Sequence, residues 1–142
     1  MHKSYHLRIT AAQFTFTARL ETTLAPKTCA AFLQLLPFEQ QIIQARWSGE
    51  SCWIPLGDFQ LGEVGIENAT SYPGRGEILF YPGGVSETEI LFPYGHTSFA
   101  SKAGQLAGSH FLTVIAGGEQ LMDMGMLCLW HGAQPIRFEA LD

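Results

Sequence analysis

Apolar and polar residues alternate along the start of the chain, as Tyr5, Leu7 and Ile9 and then, after a break at 10–13, as Phe14, Phe16, Ala18 and Leu20. A period of two marks a half-buried strand, so an N-terminal hairpin is predicted. The period then changes. Between Pro26 and Pro37 the apolar residues Cys29, Phe32, Leu33 and Leu36 recur at i, i+3, i+4 and i+7. That spacing predicts the main α-helix, over about 25–36, with a single apolar stripe.

Segments 38–47 and 51–56 are rich in Ile, Trp and alternating positions, and Ser48, Gly49 and Glu50 between them have turn chemistry, which predicts a second hairpin. Residues 57–76 carry five Gly and one Pro and read as a connecting loop, with a short strand near 64–66. Further strands are predicted at 77–81, ended by Pro82, Gly83 and Gly84, and at 88–92, ended by Pro93, Tyr94 and Gly95. Segment 95–109 reads as a loop, 110–116 as a strongly apolar strand, about 118–124 as a short second helix, and 126–130 with 136–141 as the last strands. About eight to ten strands with one good helix describe a mainly β, closed or nearly closed antiparallel barrel.

Composition narrows the class. With 142 residues, 46% hydrophobic and 15% charged, the chain is expected to be a single folded domain over 1–142. Eight Lys and Arg against thirteen Asp and Glu give a net charge of −5, and the cations are scattered, so no nucleic-acid partner is expected. The apolar run 124–130 falls far short of the ~20 residues that span a bilayer, and Met1 to Ser4 lead straight into alternation, so neither a membrane span nor a signal peptide is expected. Three cysteines, Cys29, Cys52 and Cys128, follow no Cys-x-x-Cys spacing and read as buried free thiols of a cytoplasmic protein. The acceptor pattern Asn68-Ala69-Thr70 is then an accidental match.

Two stretches resemble the cyclophilins, in the same order. Leu24-Ala25-Pro26-Lys27-Thr28 with Phe32 and Leu35 resembles the segment that starts the helix plugging one end of the cyclophilin barrel. Ser98-Phe99-Ala100-Ser101-Lys102-Ala103-Gly104 and Gly108-Ser109-His110-Phe111-Leu112 are similar to segments lining the cyclophilin groove. The resemblance implies a cyclophilin-like barrel and, in its catalytic members, prolyl isomerisation through an Arg. Two alignments of that segment are open. Placing Ser51-Cys52-Trp53-Ile54-Pro55 and Gly57-Asp58-Phe59 on it leaves no Arg, whereas placing Ala45-Arg46-Trp47 on it keeps the Arg and misplaces the Pro and Gly-Asp. The first makes Trp47-Ser48-Gly49-Glu50 a hairpin tip, as in compact bacterial cyclophilin-like proteins of unknown function. That group is also resembled by Gly62-Glu63-Val64-Gly65, Pro73-Gly74, the 82–89 segment and Phe92-Pro93-Tyr94-Gly95.

The candidate site follows from residue chemistry. Arg46, in a strand flanked by apolar residues, either grips a carboxylate or carbonyl oxygen of a ligand, or is simply exposed on the strand, or pairs internally with Glu39 or Glu50. Glu87 and Glu89, two apart, point to one face of a strand, with Glu50 approaching from the hairpin tip. Close carboxylates push one pKa up, which suits a general acid or base, or else they form a solvated face. His110 lines a pocket, caps a strand by hydrogen bonding or serves as a base beside Ser98, Ser101 or Ser109, and Tyr94 forms a pocket wall or part of the core. The histidines show no ligand spacing and the glycines no phosphate loop, so no metal and no cofactor are expected. Arg46, Glu50, Glu87, Glu89, Tyr94, Ser101 and His110 therefore outline a groove for a small ligand carrying an amide or carboxylate, with hydrolysis as one possible outcome. The alternatives are a prolyl isomerase and a non-catalytic binding module. The apolar composition also leads us to expect a homo-oligomer.

Overall fold

Strands whose side chains alternate between an apolar and a mixed face close on themselves when both edges can pair, and this chain does so. A computed structural model describes residues 5–141; the reading of Met1 to Ser4 lies outside the described residues. The elements are β1 (His6–Ala11), β2 (Phe14–Leu20), α1 (Pro26–Leu33), β3 (Phe38–Gln44), β4 (Gly49–Gly57), β5 (Ala69–Thr70), β6 (Glu77–Tyr81), β7 (Thr88–Thr97), β8 (Ala100–Ser101), β9 (Gly104–Gln105), β10 (Gly108–Ala116), α2 (Leu121–His131) and β11 (Gln134–Ala140). The sheet order β2-β1-β11-β3-β4-β7-β6-β10 returns to β2 through a β10–β2 pairing, which makes a closed antiparallel barrel of eight strands. Closure leaves these strands without a free edge.

Side chains of period two divide the strands between two cores. Leu7, Ile9, Phe16, Ala18, Ile54, Ile90, Phe92 and Phe138 point inward. From α1, Phe32 enters this interior edge-on to Phe38, Phe111 and Phe138, with ring centroids 5.1–5.5 Å apart. Such a cluster adds about 0.5–1.5 kcal/mol per ring pair to the area buried. The opposite faces of β4, β7 and β6 carry Trp53, Leu91, Leu79 and Tyr81, which pack under Phe99 and Leu106 into a second, smaller core. The cover comes from the 98–107 segment, which folds into the β8–β9 hairpin rather than the loop predicted for it.

Other differences have local causes. Segment 126–130 is helical: α2 runs to His131, because Leu121, Met124, Gly125 and Cys128 form a buried i, i+3, i+4, i+7 stripe that a short apolar window reads as a strand. Gly125 allows the Tyr94 ring to lie directly on the helix backbone, a place that any Cβ would occupy. The 64–66 segment is not a strand, and the short β5 falls at 69–70 instead. Segment 88–92 continues through Pro93 to Thr97, since Pro93 sits at a register shift against β4 where a missing N–H is tolerated. All three cysteines are buried free thiols. No helix among the described residues is long and apolar enough to cross a membrane.

Candidate functional site

The outer core is open at one end. There the 3-10 turn Arg46–Ser48, the strands β4 and β7, the 85–87 loop and the β8–β9 tip surround a cavity of about 530 Å3, lined by Trp47, Trp53, Glu87, Glu89, Ser101 and Lys102 among others. Each wall is held by short-range bonds. The buried Ser48 hydroxyl takes the Ala100 N–H at 3.1 Å, and the Ser48 carbonyl takes the Ser98 N–H at 3.0 Å. These bonds tie the hairpin to the turn that carries Trp47. The Ser101 hydroxyl accepts the Ala103 N–H at 3.0 Å, so it closes its own turn. On the far side the Tyr81 hydroxyl accepts N–H groups of Val85 and Ser86 at 3.1 and 3.3 Å, and this holds the loop bearing Glu87.

Trp47 and Trp53 meet edge to face, with centroids 5.2 Å apart and planes 83° apart, so together they form an apolar corner. Trp47 is half exposed.

Glu89 forms the floor. It lies between Pro55 and Tyr81 in the register of β4, β7 and β6, is 1% exposed, and its Oε2 is buried without a hydrogen-bond partner. Burial, and next the negative charge of Glu87, push its carboxyl up to about 8. Near neutrality the group is therefore predominantly a neutral acid, able to donate one hydrogen bond and accept others. Leaving it unpartnered costs about 1–3 kcal/mol, an expense concentrated at functional sites.

The fold thus gathers Glu87, Glu89 and Ser101 in one cavity and puts the other candidates elsewhere. Arg46 does not lie in a strand but begins the 3-10 turn, exposed, and its side chain makes no ion pair or hydrogen bond with a described residue. Its expected partners are engaged otherwise: Glu39 pairs with Arg137, and Glu50 accepts the His96 N–H at 2.9 Å. Tyr94 faces the barrel interior and donates to Gln44 Oε1 at 3.0 Å. His110 belongs to a polar chain at β10, where its Nε2 lies 2.8 Å from Thr113 Oγ1 and that hydroxyl donates to Glu21 at 2.6 Å. Ser109 does not face His110 as a nucleophile would; its hydroxyl accepts the Glu67 N–H.

Trp47, Trp53 and Lys102 were missed as site residues by sequence reasoning. The signal available was two Trp six positions apart across a predicted turn, one of them too polar in context for a core. Among the described residues no three His, Cys, Asp or Glu side chains gather as a metal site. A second hollow, of about 380 Å3, lies over β3 and β11 beside Glu39 and Arg137, whose charges already pair.

With the barrel and its cavity described, comparison with known proteins becomes informative. Residues 7–140 match DUF3830, a family of proteins of unknown function. The chain belongs to the DUF3830 family. No curated protein matches it in sequence. The DUF3830 barrel is similar to the structure of McbB in complex with tryptophan, with a TM-score of 0.69 and 18% identity over 94% of this chain and 44% of that one. The chain thus spans less than half of McbB. It is also similar to the hypothetical protein AF2241 from Archaeoglobus fulgidus, with a TM-score of 0.62 and 17% identity over 96% and 94% of the two chains. At such identities the likeness is one of fold.

Proposed function

We propose that this DUF3830 protein binds a small organic molecule carrying an amide or carboxyl group in the cavity beneath the β8–β9 hairpin. One observation carries this reading: a buried, unpartnered carboxyl at the floor of an aromatic-walled cavity of about 530 Å3. Cavities of this size with few polar groups are the usual setting for small ligands. Trp47 and Trp53 supply apolar contact, Glu89 the orienting hydrogen bond, and Lys102 a positive charge at the rim. A carboxyl that stays protonated near neutrality also suits general-acid catalysis of amide hydrolysis, so turnover is tested alongside binding.

The test is a thermal-shift screen with small amides, carboxylates, tryptophan and tryptophanamide, tryptophan being included because the similar McbB structure holds it. At least one compound is expected to raise the Tm of the wild type, with much less effect on Trp47→Ala, whose side chain is exposed enough to remove without unfolding the protein. No shift with any compound, or equal shifts in both proteins, would overturn the reading. Chromatography of the incubated compounds reports turnover.

Two further expectations remain as proposals. The cyclophilin-like label is supported by a closed eight-stranded antiparallel barrel with a helix after its second strand. Self-association is supported by Trp130, 72% exposed on α2 beside Phe14 and Leu127. A mass that rises with concentration, and falls back in Trp130→Ser, is the expected result.

A further inference from the structure

We infer that the ligand is a small zwitterion, an amino acid or a molecule built like one, whose apolar body fills the indole corner while its carboxylate meets Lys102 and its ammonium meets Glu87. This inference rests on the cavity proposed above and narrows its ligand class. Two exposed side chains of opposite charge line that cavity from different walls, Glu87 from the 85–87 loop and Lys102 from the tip of the β8–β9 hairpin. The fold makes no use of either charge. Neither side chain has an ion pair or hydrogen bond with a described residue, and the two do not pair with each other. By contrast, Arg8, Arg19 and Arg137 pair with Glu139, Glu21 and Glu39. Both charges also leave the wall from tied backbone. The Tyr81 hydroxyl holds the N–H groups of Val85 and Ser86 just before Glu87, and the Ser101 hydroxyl holds the Ala103 N–H across Lys102. Unpartnered charges on fixed backbone can be met by a ligand with little reordering.

The signs of the two charges disfavour simpler ligands. An anion that reaches Lys102 shares the cavity with Glu87, and a cation that reaches Glu87 shares it with Lys102. A singly charged ligand therefore gains one attraction and incurs one repulsion. A neutral ligand leaves both charges to water. A zwitterion answers both and brings no net charge to the buried Glu89 on the floor. The rest of the wall suits an aromatic or branched side chain. Trp47 and Trp53 stand 83° apart, and Val85 lies on the loop beside Glu87, so the apolar surface sits next to the charges. A cavity of about 530 Å3 has the size of a small-ligand site.

The experiment uses the full chain and three probes that share one phenyl body: L-phenylalanine, phenethylamine, which lacks the carboxylate, and 3-phenylpropionate, which lacks the ammonium. Affinities are measured by isothermal titration calorimetry at about pH 6.5, where every probe carries its full charge. The amino acid is expected to bind about fivefold or more tightly than either single-charge probe, the effect of a charge-assisted contact partly screened by solvent. Lys102→Ala is expected to weaken L-phenylalanine about fivefold and to leave phenethylamine unweakened. Glu87→Gln is expected to weaken L-phenylalanine by about the same factor and to leave 3-phenylpropionate unweakened. Both side chains are exposed, so the fold is expected to tolerate these changes. Trp47→Ala is expected to weaken all three probes alike. A single-charge probe that binds as tightly as the amino acid, or an amino acid that ignores both charge variants, would overturn the zwitterion and leave the cavity as a binding site. Indifference of the amino acid to Trp47→Ala, or binding of none of the three, would also overturn the zwitterion. Where the thermal-shift screen is blank as well, the cavity reading falls with it.

Discussion

The barrel interior and the pocketed core outside it are built from the same strands, yet they resolve their polar groups in opposite ways. Inside, every large side chain is apolar or, like Tyr94, hydrogen-bonded. Outside, a carboxyl lies buried and unpaired on the next position of the same strand, one residue from Ile90. The difference lies in what closes each space. The interior is enclosed by a continuous hydrogen-bonded ring with two helices packed into it, whereas the outer core is roofed by a hairpin of two two-residue strands. A roof that slight leaves room for a ligand, and the group left unsatisfied beneath it has a reason to be there.

The comparison can be broken most severely from inside. Phe32→Ala removes the ring shared by Phe38, Phe111 and Phe138, and a loss of about 3–5 kcal/mol in urea unfolding is expected, with the whole barrel affected. Phe99→Ala, under the hairpin, is expected to cost less, about 2–3 kcal/mol, because the roof can settle into the gap. Hydrogen exchange should then rise across the 98–107 segment while the barrel strands stay protected; equal loosening of both regions would erase the distinction.

Glu89→Gln sharpens the contrast through pH. The folded-state carboxyl lies at about 8, against an ordinary value of 4.5, so the native state favours the protonated form. Wild-type stability is therefore fully present below about pH 4.5 and declines as pH rises through about 8, where ionisation favours unfolding. The Gln variant lacks this slope. Its advantage should be near zero at pH 4 and reach about 1–3 kcal/mol by pH 9, as Tm measured across the range would reveal. A constant offset between the two proteins would mean that Glu89 is solvated.

The smallest effect concerns the helix that fills the barrel. Glu67 accepts the Thr28 N–H and hydroxyl at 2.7 and 2.8 Å and the Lys27 N–H at 3.3 Å, serving as a cap from 39 residues away. Burial alone would raise its pKa, but the bonds from Thr28 and Lys27 outweigh that and hold it below the ordinary carboxylate range. Glu67→Ala should cost about 1 kcal/mol in chemical unfolding, and wild-type stability from this group should fall as pH drops below the usual Glu range.

Much of this was legible in the chain. The alternations at 5–9 and 14–20 and the stripe at Cys29, Phe32 and Leu33 appear as strands and a helix because burial on one face imposes its period on the sequence, and the apolar run at 77–81 appears as a strand buried on both faces. Segment 126–130 was not legible, since a short apolar run satisfies either period until its neighbours Leu121 and Met124 are counted. Within the candidate site, Glu87 and Glu89 line the same cavity, although Glu87 lies in the loop before β7 and not on a strand face as its spacing of two from Glu89 suggested. What that spacing could not tell is that one carboxyl would be buried and the other exposed.

The sequence by itself determined the mainly β class, the main helix and the acidic, apolar character of the chain, all of them properties of local period and composition. Only the tertiary structure decided which candidates meet. Barrel closure sends His110 to a polar chain at β10 and Tyr94 into the core, while it brings Trp47, Trp53, Glu89 and Lys102 to one cavity. The reason is physical: strand register and a folded-over hairpin juxtapose residues up to dozens of positions apart, and nothing in the local pattern of any one segment encodes the partner across the gap.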